Sequence, residues 1–258
     1  MLRPWSKPVT MVLAPEGMAL HAAGEVRPLT SQTTSRSWEG LLTELAGMAA
    51  QLDLRQVRFV LSSQFVRYAV LPWQPGVLSS QDWRALGEHQ MRKVFGVAAD
   101  AWEIRVAPQA YAESAVVCAV DRLLLTRLEE IAAQHRWTIH GVEPALMAVF
   151  NRYRNEMASG DFWLLLAEPK RLVLAEVSQG QWRRFSVSSP PVGQGREECL
   201  AMVERAVRLE GKGRPARVYC FGATPLLPAT QPEGVHFERL PSPERGENTT
   251  TLTMMANL

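Results

Sequence analysis

Two distant stretches of this chain are built alike. MVLAPEGMALHAAGEV (Met11 to Val26) and LLLAEPKRLVLAEVSQGQW (Leu164 to Trp182) each consist of an apolar run, a small turn and a second apolar run. A repeated unit restricts the fold more than any single motif does, because both copies must bury the same faces against equivalent neighbours.

The pattern around each stretch extends the likeness. From Val9 to Thr30 it predicts three short strands, with turns at Pro15-Glu16-Gly17 and near Gly24. Trp38, Leu41, Leu42, Leu45, Met48, Ala49 and Leu52 then recur at helical spacing behind Ser37, a suitable N-cap, and QVRFVLSS (Gln56 to Ser63) reads as a fourth strand. In the second half, Phe162 to Leu166, Arg171 to Val177 and Gln181 to Val187 predict three strands, the last two joined by Ser178-Gln179-Gly180. A helix over Glu197 to Leu209, ended by Gly211, and a strand over Ala216 to Phe221 complete the copy. The unit is strand, strand, strand, helix, strand, used twice.

Extra material separates the copies. FVRYAVLPW reads as a strand ended by Pro72, and a helix capped at Ser79 or Ser80 carries Trp83, Leu86, Met91, Val94 and Phe95. Strands near Ile104 and Val117, a helix from Asp121 to His135, a strand at Thr138 to Val142 and a helix from Pro144 follow. The expected division is a first domain over 1–158, enlarged by an inserted α/β subdomain at about 76–138, and a smaller second domain over 159–258. Asn155 to Asp161 is the candidate linker, and the last ten residues fit either a short helix or a strand.

Composition narrows the functional classes. Hydrophobic residues make up 47% and charged residues 21%, as in a folded globular chain. With 28 basic and 26 acidic side chains interspersed, the chain lacks the basic face that nucleic-acid binding requires. No apolar run approaches the roughly 20 residues of a membrane span, and the proline-broken start lacks the core of a signal peptide. The expected location is the cytoplasm, in keeping with three scattered cysteines, Cys118, Cys199 and Cys220, read as buried thiols.

A three-stranded meander, a helix and a fourth strand, present twice, make the core of the actin-like, or ribonuclease H-like, fold. Three stretches are more specific: LSSQFVRYAVLPW (Leu61 to Trp73), AVDRLLLTRLEEIAAQHRWTIHGVEPALMAVFNRY (Ala119 to Tyr153) and RVYCFGATPLLP (Arg217 to Pro228). In these the chain resembles the PilM family of type IV pilus assembly proteins and the cytoplasmic part of the type II secretion protein GspL. The resemblance implies a cytoplasmic scaffold that binds the tail of an inner-membrane subunit, PilN-like, and in some relatives an assembly motor ATPase. With no span of its own, the chain would be recruited to the inner membrane through that partner.

In an actin-like ATPase each half opens with a turn whose glycines admit phosphate to backbone N–H groups and whose Asp helps hold magnesium. Here the turns read Ala14-Pro15-Glu16-Gly17 and Ala167-Glu168-Pro169-Lys170. Asp is absent, alanine takes its apparent place in both, and each proline removes an N–H. The expectation is a repeat kept for architecture without ATP chemistry, no cofactor and no catalytic residue, with Glu16 and Glu168 as solvated turn carboxylates. Gly222, in Phe221-Gly222-Ala223-Thr224, resembles the loop that packs on adenosine. The alternative is an actin-like nucleotide-binding protein or ATPase with Glu16 or Glu168 near magnesium. A metabolic kinase of the same superfamily is a third reading, disfavoured by the lack of phosphate turns and of an evident catalytic carboxylate.

Other chemistry is thinly supported. The five histidines show no metal-ligand spacing, so no metal site is expected. His140 with Glu143 fits a strand-to-helix turn as well as an acid–base pair. No G-x-S-x-G elbow or Walker-type loop is present, and Gly193-Gln194-Gly195 lacks the rest of a dinucleotide fingerprint. Trp73, Trp83 and Trp102 surround the inserted segment, which in the family helps form the groove for the partner's tail, and are the candidate partner-binding residues. Arg67, among apolar neighbours, is expected at a sheet edge or paired with a buried acid.

Overall fold

A computed structural model describes residues 8–22, 24–29, 37–77, 79–107, 111–157, 159–191, 193–210, 217–222, 235–241 and 250–258. The first half begins with an antiparallel meander of β1 (Val9–Ala14), β2 (Gly17–Ala22) and β3 (Glu25–Pro28). Helix α1 (Trp38–Met48) starts at Ser37, whose side chain accepts from the Gly40 N–H at 3.4 Å. It buries Leu41, Leu42 and Leu45 and returns the chain to β4 (Gln56–Leu61), parallel to β1.

The second half has the same plan: β9 (Phe162–Glu168), β10 (Arg171–Ser178) and β11 (Gln181–Ser188), helix α5 (Gly195–Glu210), then β12 (Arg217–Gly222) parallel to β9. Gln179 and Gly180 both have positive φ, 52° and 74°, as a two-residue hairpin turn requires. Each sheet then gains a fifth strand: β8 (Thr138–Pro144) beside β4, and β13 (His236–Arg239), unforeseen in the sequence, beside β12. The sheet orders are β3-β2-β1-β4-β8 and β11-β10-β9-β12-β13, so the repeat holds strand for strand.

Strand β9 shows how the halves join. All of its residues are buried. Trp163, Leu165 and Ala167 pack with Cys199, Met202, Val203 and Ala206 of α5, whereas Phe162, Leu164 and Leu166 enter a core shared with the first half. A strand covered on both faces has no polar side, which is why its sequence is a continuous apolar run rather than an alternating one.

The inserted unit is a sheet of order β5-β7-β6, formed by β5 (Val66–Leu71), β6 (Trp102–Ala107) and β7 (Ala115–Asp121), with helix α2 (Ser80–Phe95) against one face. Ser79 and Asp82 close a capping box at the start of α2. This corrects the expected limits of 76–138: the unit runs from about 66 to 121. Strand β5 pairs with β7 from Val66↔Val120 to Leu71↔Ala115, while helix α3 (Arg122–His135) buries Leu124, Leu128, Ile131 and Ala132 in the core of the first half. The unit also touches the second half, where Ser114 Oγ donates to Trp182 O at 2.6 Å and the Tyr68 and Phe185 rings lie 5.5 Å apart.

After β8, helix α4 (Ala145–Tyr153) leads to the second half, and the chain ends in α6 (Thr251–Ala256), capped by Thr250 and Thr253. Helix α6 packs on β1, β2 and β3 with Leu252, Met254 and Met255 buried, so the end of the second half closes over the first. Among the described residues no helix is long and apolar enough to cross a membrane. Gly211, Lys212 and Gly213, and Ala223 to Pro228, lie outside the described residues.

Candidate functional site

Hairpin register redefines the two turns. The last pair of the first hairpin is Ala14↔Gly17, and that of the second is Glu168↔Arg171. The neighbouring parallel strands agree: Leu13 pairs with Leu61, and Ala167 pairs with Gly222. The counterpart of Ala14 is therefore Glu168 and not Ala167, so the second turn does carry an acid at its strand end. The turn residues proper are Pro15-Glu16 and Pro169-Lys170.

Glu168 is not solvated, contrary to the expectation for a turn carboxylate. It is 1% exposed and reaches across the seam into the turn after β4. Its Oε1 accepts the Ser63 N–H at 2.8 Å, and its Oε2 accepts a short bond from the Ser62 hydroxyl. Ser62 Oγ in turn accepts the Gln64 N–H at 3.1 Å, and Ser63 Oγ lies 3.2 Å from the Tyr68 hydroxyl. Burial pushes the Glu168 carboxyl up to about 7, against the opposing pull of the serine hydrogen bonds, and the charge of Glu16 adds to the rise. Glu16 is half-buried and accepts from Gln64 Nε2 at 3.0 Å.

The rest of this seam is equally close-fitting. Gly222 has φ +148°, and a Cβ there would collide with the Ala167 carbonyl oxygen and lie 2.9 Å from the Ala167 Cβ. The close approach that Gly222 permits is thus to the neighbouring strand. Ala167 O also accepts from Thr251 Oγ1 at 3.2 Å, which fixes the start of α6 to the same point.

A second candidate region lies between the inserted sheet and the first half. A groove of about 420 Å³ is lined by Leu61, Ile139, Val142 and Pro144 from β4 and β8, by Cys118 and Val120 of β7, and by Leu125 of α3. Glu103, Arg105 and Glu129 supply its charged lining. Burial raises the Cys118 thiol to about 12, so it is an apolar lining group and not a nucleophile.

The three tryptophans face the other way. Trp83 is 9% exposed and belongs to the core under α2, which leaves it no open face for a partner. Trp73 and Trp102 are half-buried on that same side, stacked edge-on against Tyr111 and Phe95 respectively. Period-two alternation along β6 separates Trp102, Ile104 and Val106 from Glu103 and Arg105, the residues that reach the groove. The apolar groove-lining residues were missed because each looks like an ordinary core position of its own element.

The remaining candidates resolve simply. Arg67 lies on β5, an edge strand of the inserted sheet, which is the first of its two expected settings; the second, a buried ion pair, is not found among the described residues, and Nη1 donates to Gln64 O and Val66 O, both at 3.1 Å. Glu143 lies 3.7 Å from Arg58, and among the described residues no hydrogen bond or ion pair joins it to His140. Among the described residues no group of His, Cys, Asp and Glu is arranged to hold a metal ion.

No protein-family model matches the chain, and no curated protein matches it in sequence. Solved structures match over nearly its whole length. The cytoplasmic domain of EpsL, an inner membrane component of the type II secretion system of Vibrio cholerae, superposes with a TM-score of 0.61 at 13% identity, covering 96% of this chain and 92% of that one. A protein of actin-like ATPase fold from Bacteroides thetaiotaomicron gives 0.58 at 10% identity, over 84% and 82%. The PilM-PilN type IV pilus biogenesis complex gives 0.57 at 12% identity, over 92% and 89%. The chain has the actin-like fold.

Proposed function

We propose that this protein is a non-catalytic scaffold of a pilus or secretion assembly that holds the cytoplasmic tail of an inner-membrane subunit, PilN-like, in the groove between the inserted sheet and the first half. One observation carries the reading: the strand ends that would face a nucleotide's phosphates are tied to protein groups, Glu168 to Ser62 and Ser63 and Gly222 to Ala167, while an apolar groove with charged lining lies beside them. Apolar side chains of an extended tail would pack on Leu125, Ile139 and Val142, and Arg105 and Glu129 would set its register by charge. Recruitment to the inner membrane follows from the partner. A motor ATPase is a further expected contact of such a scaffold.

The test is affinity capture from native membranes with the wild-type chain and with Leu125→Arg, which places a charge in the groove. Recovery of a single-span assembly subunit by the wild type alone supports the reading. Equal recovery by both, or by neither, overturns it.

A second reading, an actin-like nucleotide binder with an altered phosphate site, draws on the proximity of Glu16 and Glu168, close enough for one carboxylate to raise the pKa of the other. A magnesium ion would relieve that repulsion. Melting with and without millimolar ATP or ADP and magnesium separates the readings: a nucleotide at 100 times its Kd stabilises by about 2.7 kcal/mol, or several degrees for a chain of this size. The scaffold reading expects no shift beyond the one that inorganic phosphate and magnesium give without nucleoside.

A further inference from the structure

Two arginines from different halves converge on one turn. Arg67, near the start of β5, sends Nη1 to the Gln64 carbonyl at 3.1 Å and lays its guanidinium over the Trp102 ring, Cζ 5.9 Å from the centroid. Arg171, the first residue of β10, sends Nε to the Ser63 carbonyl at 3.4 Å and Nη1 to Ser189 Oγ at 2.8 Å. The two guanidinium groups therefore sit on consecutive carbonyls of the turn after β4.

No ion pair neutralises them among the described residues, although the charge of Glu168 partly offsets that of Arg171. Neither arginine has a carboxylate within ion-pair distance among the described residues. The acids of this seam have hydrogen-bond partners of their own, Glu168 with Ser62 and Ser63 and Glu16 with Gln64. Both arginines are half-buried, and each is held below its ordinary pKa, first by lost hydration; the charge of Arg171 adds to the fall at Arg67, whereas Glu168 and Tyr68 oppose the fall at Arg171. Their Nη2 groups make no bond to any described residue. A fold that keeps two partly desolvated like charges together, oriented by backbone carbonyls and an aromatic face, has a preformed place for an anion.

We propose that Arg67 and Arg171 form a binding site for a phosphate group. A phosphate near pH 7 carries roughly 1.5 to 2 negative charges, more of the pair's charge than a single carboxylate offsets, and its oxygens can take one Nη2 donor from each guanidinium. A carboxylate would leave half the charge uncompensated. The exposed Ser189 hydroxyl supplies a third donor. The site shares no residue with the groove, so it stands or falls independently of the scaffold reading.

The experiment is a calorimetric titration with inorganic phosphate at constant ionic strength, with chloride as the control, on the wild type, Arg67→Gln and Arg171→Gln. The expected result is saturable binding to the wild type and a loss of about tenfold or more in each variant, as for a charge-assisted hydrogen bond. Should a Gln variant unfold, Arg67→Lys and Arg171→Lys keep the charge but lose the planar fork, and a weaker affinity than wild type is again expected. Flotation with phosphatidylcholine vesicles, with and without phosphatidic acid, identifies the source. Binding that requires phosphatidic acid assigns the site to a lipid headgroup, and soluble phosphate binding without flotation assigns it to free phosphate. Absence of both, or equal phosphate affinity in wild type and variants, overturns the proposal.

Discussion

Glu168 Oε1 accepts the Ser63 N–H at 2.8 Å, joining residues 105 positions apart across the seam between the two halves. Few contacts in the chain combine such sequence separation with such complete burial, and the first three predictions follow from it and its surroundings.

Replacing Glu168 by Ala strands the Ser63 N–H and the Ser62 hydroxyl in a buried place and opens a cavity. The expected loss is about 2–4 kcal/mol, measured by urea unfolding. A loss below about 0.5 kcal/mol would mean that the seam is hydrated in solution.

The same carboxyl makes stability depend on pH in an unusual direction. The folded chain keeps the Glu168 proton up to about pH 7, whereas the unfolded chain releases it near the ordinary value of 4.5. Between those values the native state binds more protons, so stability from this group is greatest at low pH, falls as pH rises through the window, and is level above it. The full fall is about 3 kcal/mol. Glu168→Gln, which cannot ionise, should remove this slope. Parallel denaturant titrations of both chains between pH 4.5 and 8 check it, and identical slopes would refute the assignment.

Gly222→Ala should destabilise by at least about 2 kcal/mol, since an Ala there is both strained at φ +148° and in collision with Ala167. Because Thr251 bonds to the same Ala167 carbonyl, detachment of α6 is expected alongside. Faster amide exchange at Met254 and Met255 in the variant would register it.

Leu125→Arg in the groove is expected to change stability by less than about 1 kcal/mol, because Leu125 is only half-buried on α3 and an arginine can extend toward solvent. Capture of the membrane subunit should nevertheless fail. Thermal melting beside the capture assay separates a lost interface from a lost fold.

Most of the fold was legible because its signals are local. The spacing of Leu41, Leu42 and Leu45, the cap at Ser37, the turn at Gln179-Gly180 and the cap at Ser79, one of the two serines expected there, are each decided within a few residues, and each forms as expected. Strand β13 escaped because HFER has little apolar content and is held as an edge by β12 alone. The limits of the inserted unit were misplaced because pairing decides them: only the ladder from Val66 to Leu71 against β7 reveals that β5 belongs to it.

The candidate site was less legible. An acid after a buried strand and before Pro169-Lys170 looks like a solvated turn residue when only its neighbours in sequence are considered. Its burial depends on Ser62 and Ser63, supplied by the other half.

The sequence by itself determined the twofold repeat, the actin-like order of its elements and the loss of Asp from both hairpin turns, since apolar periodicity and turn chemistry are properties of short segments. Tertiary structure alone decided that Glu168 is the counterpart of Ala14, that it is buried, that Arg67 and Arg171 meet, and that a groove separates the inserted sheet from the first half. Those features arise where segments about a hundred residues apart come into contact. Desolvation and charge at such a seam are set by whatever the fold places opposite, which no local pattern encodes.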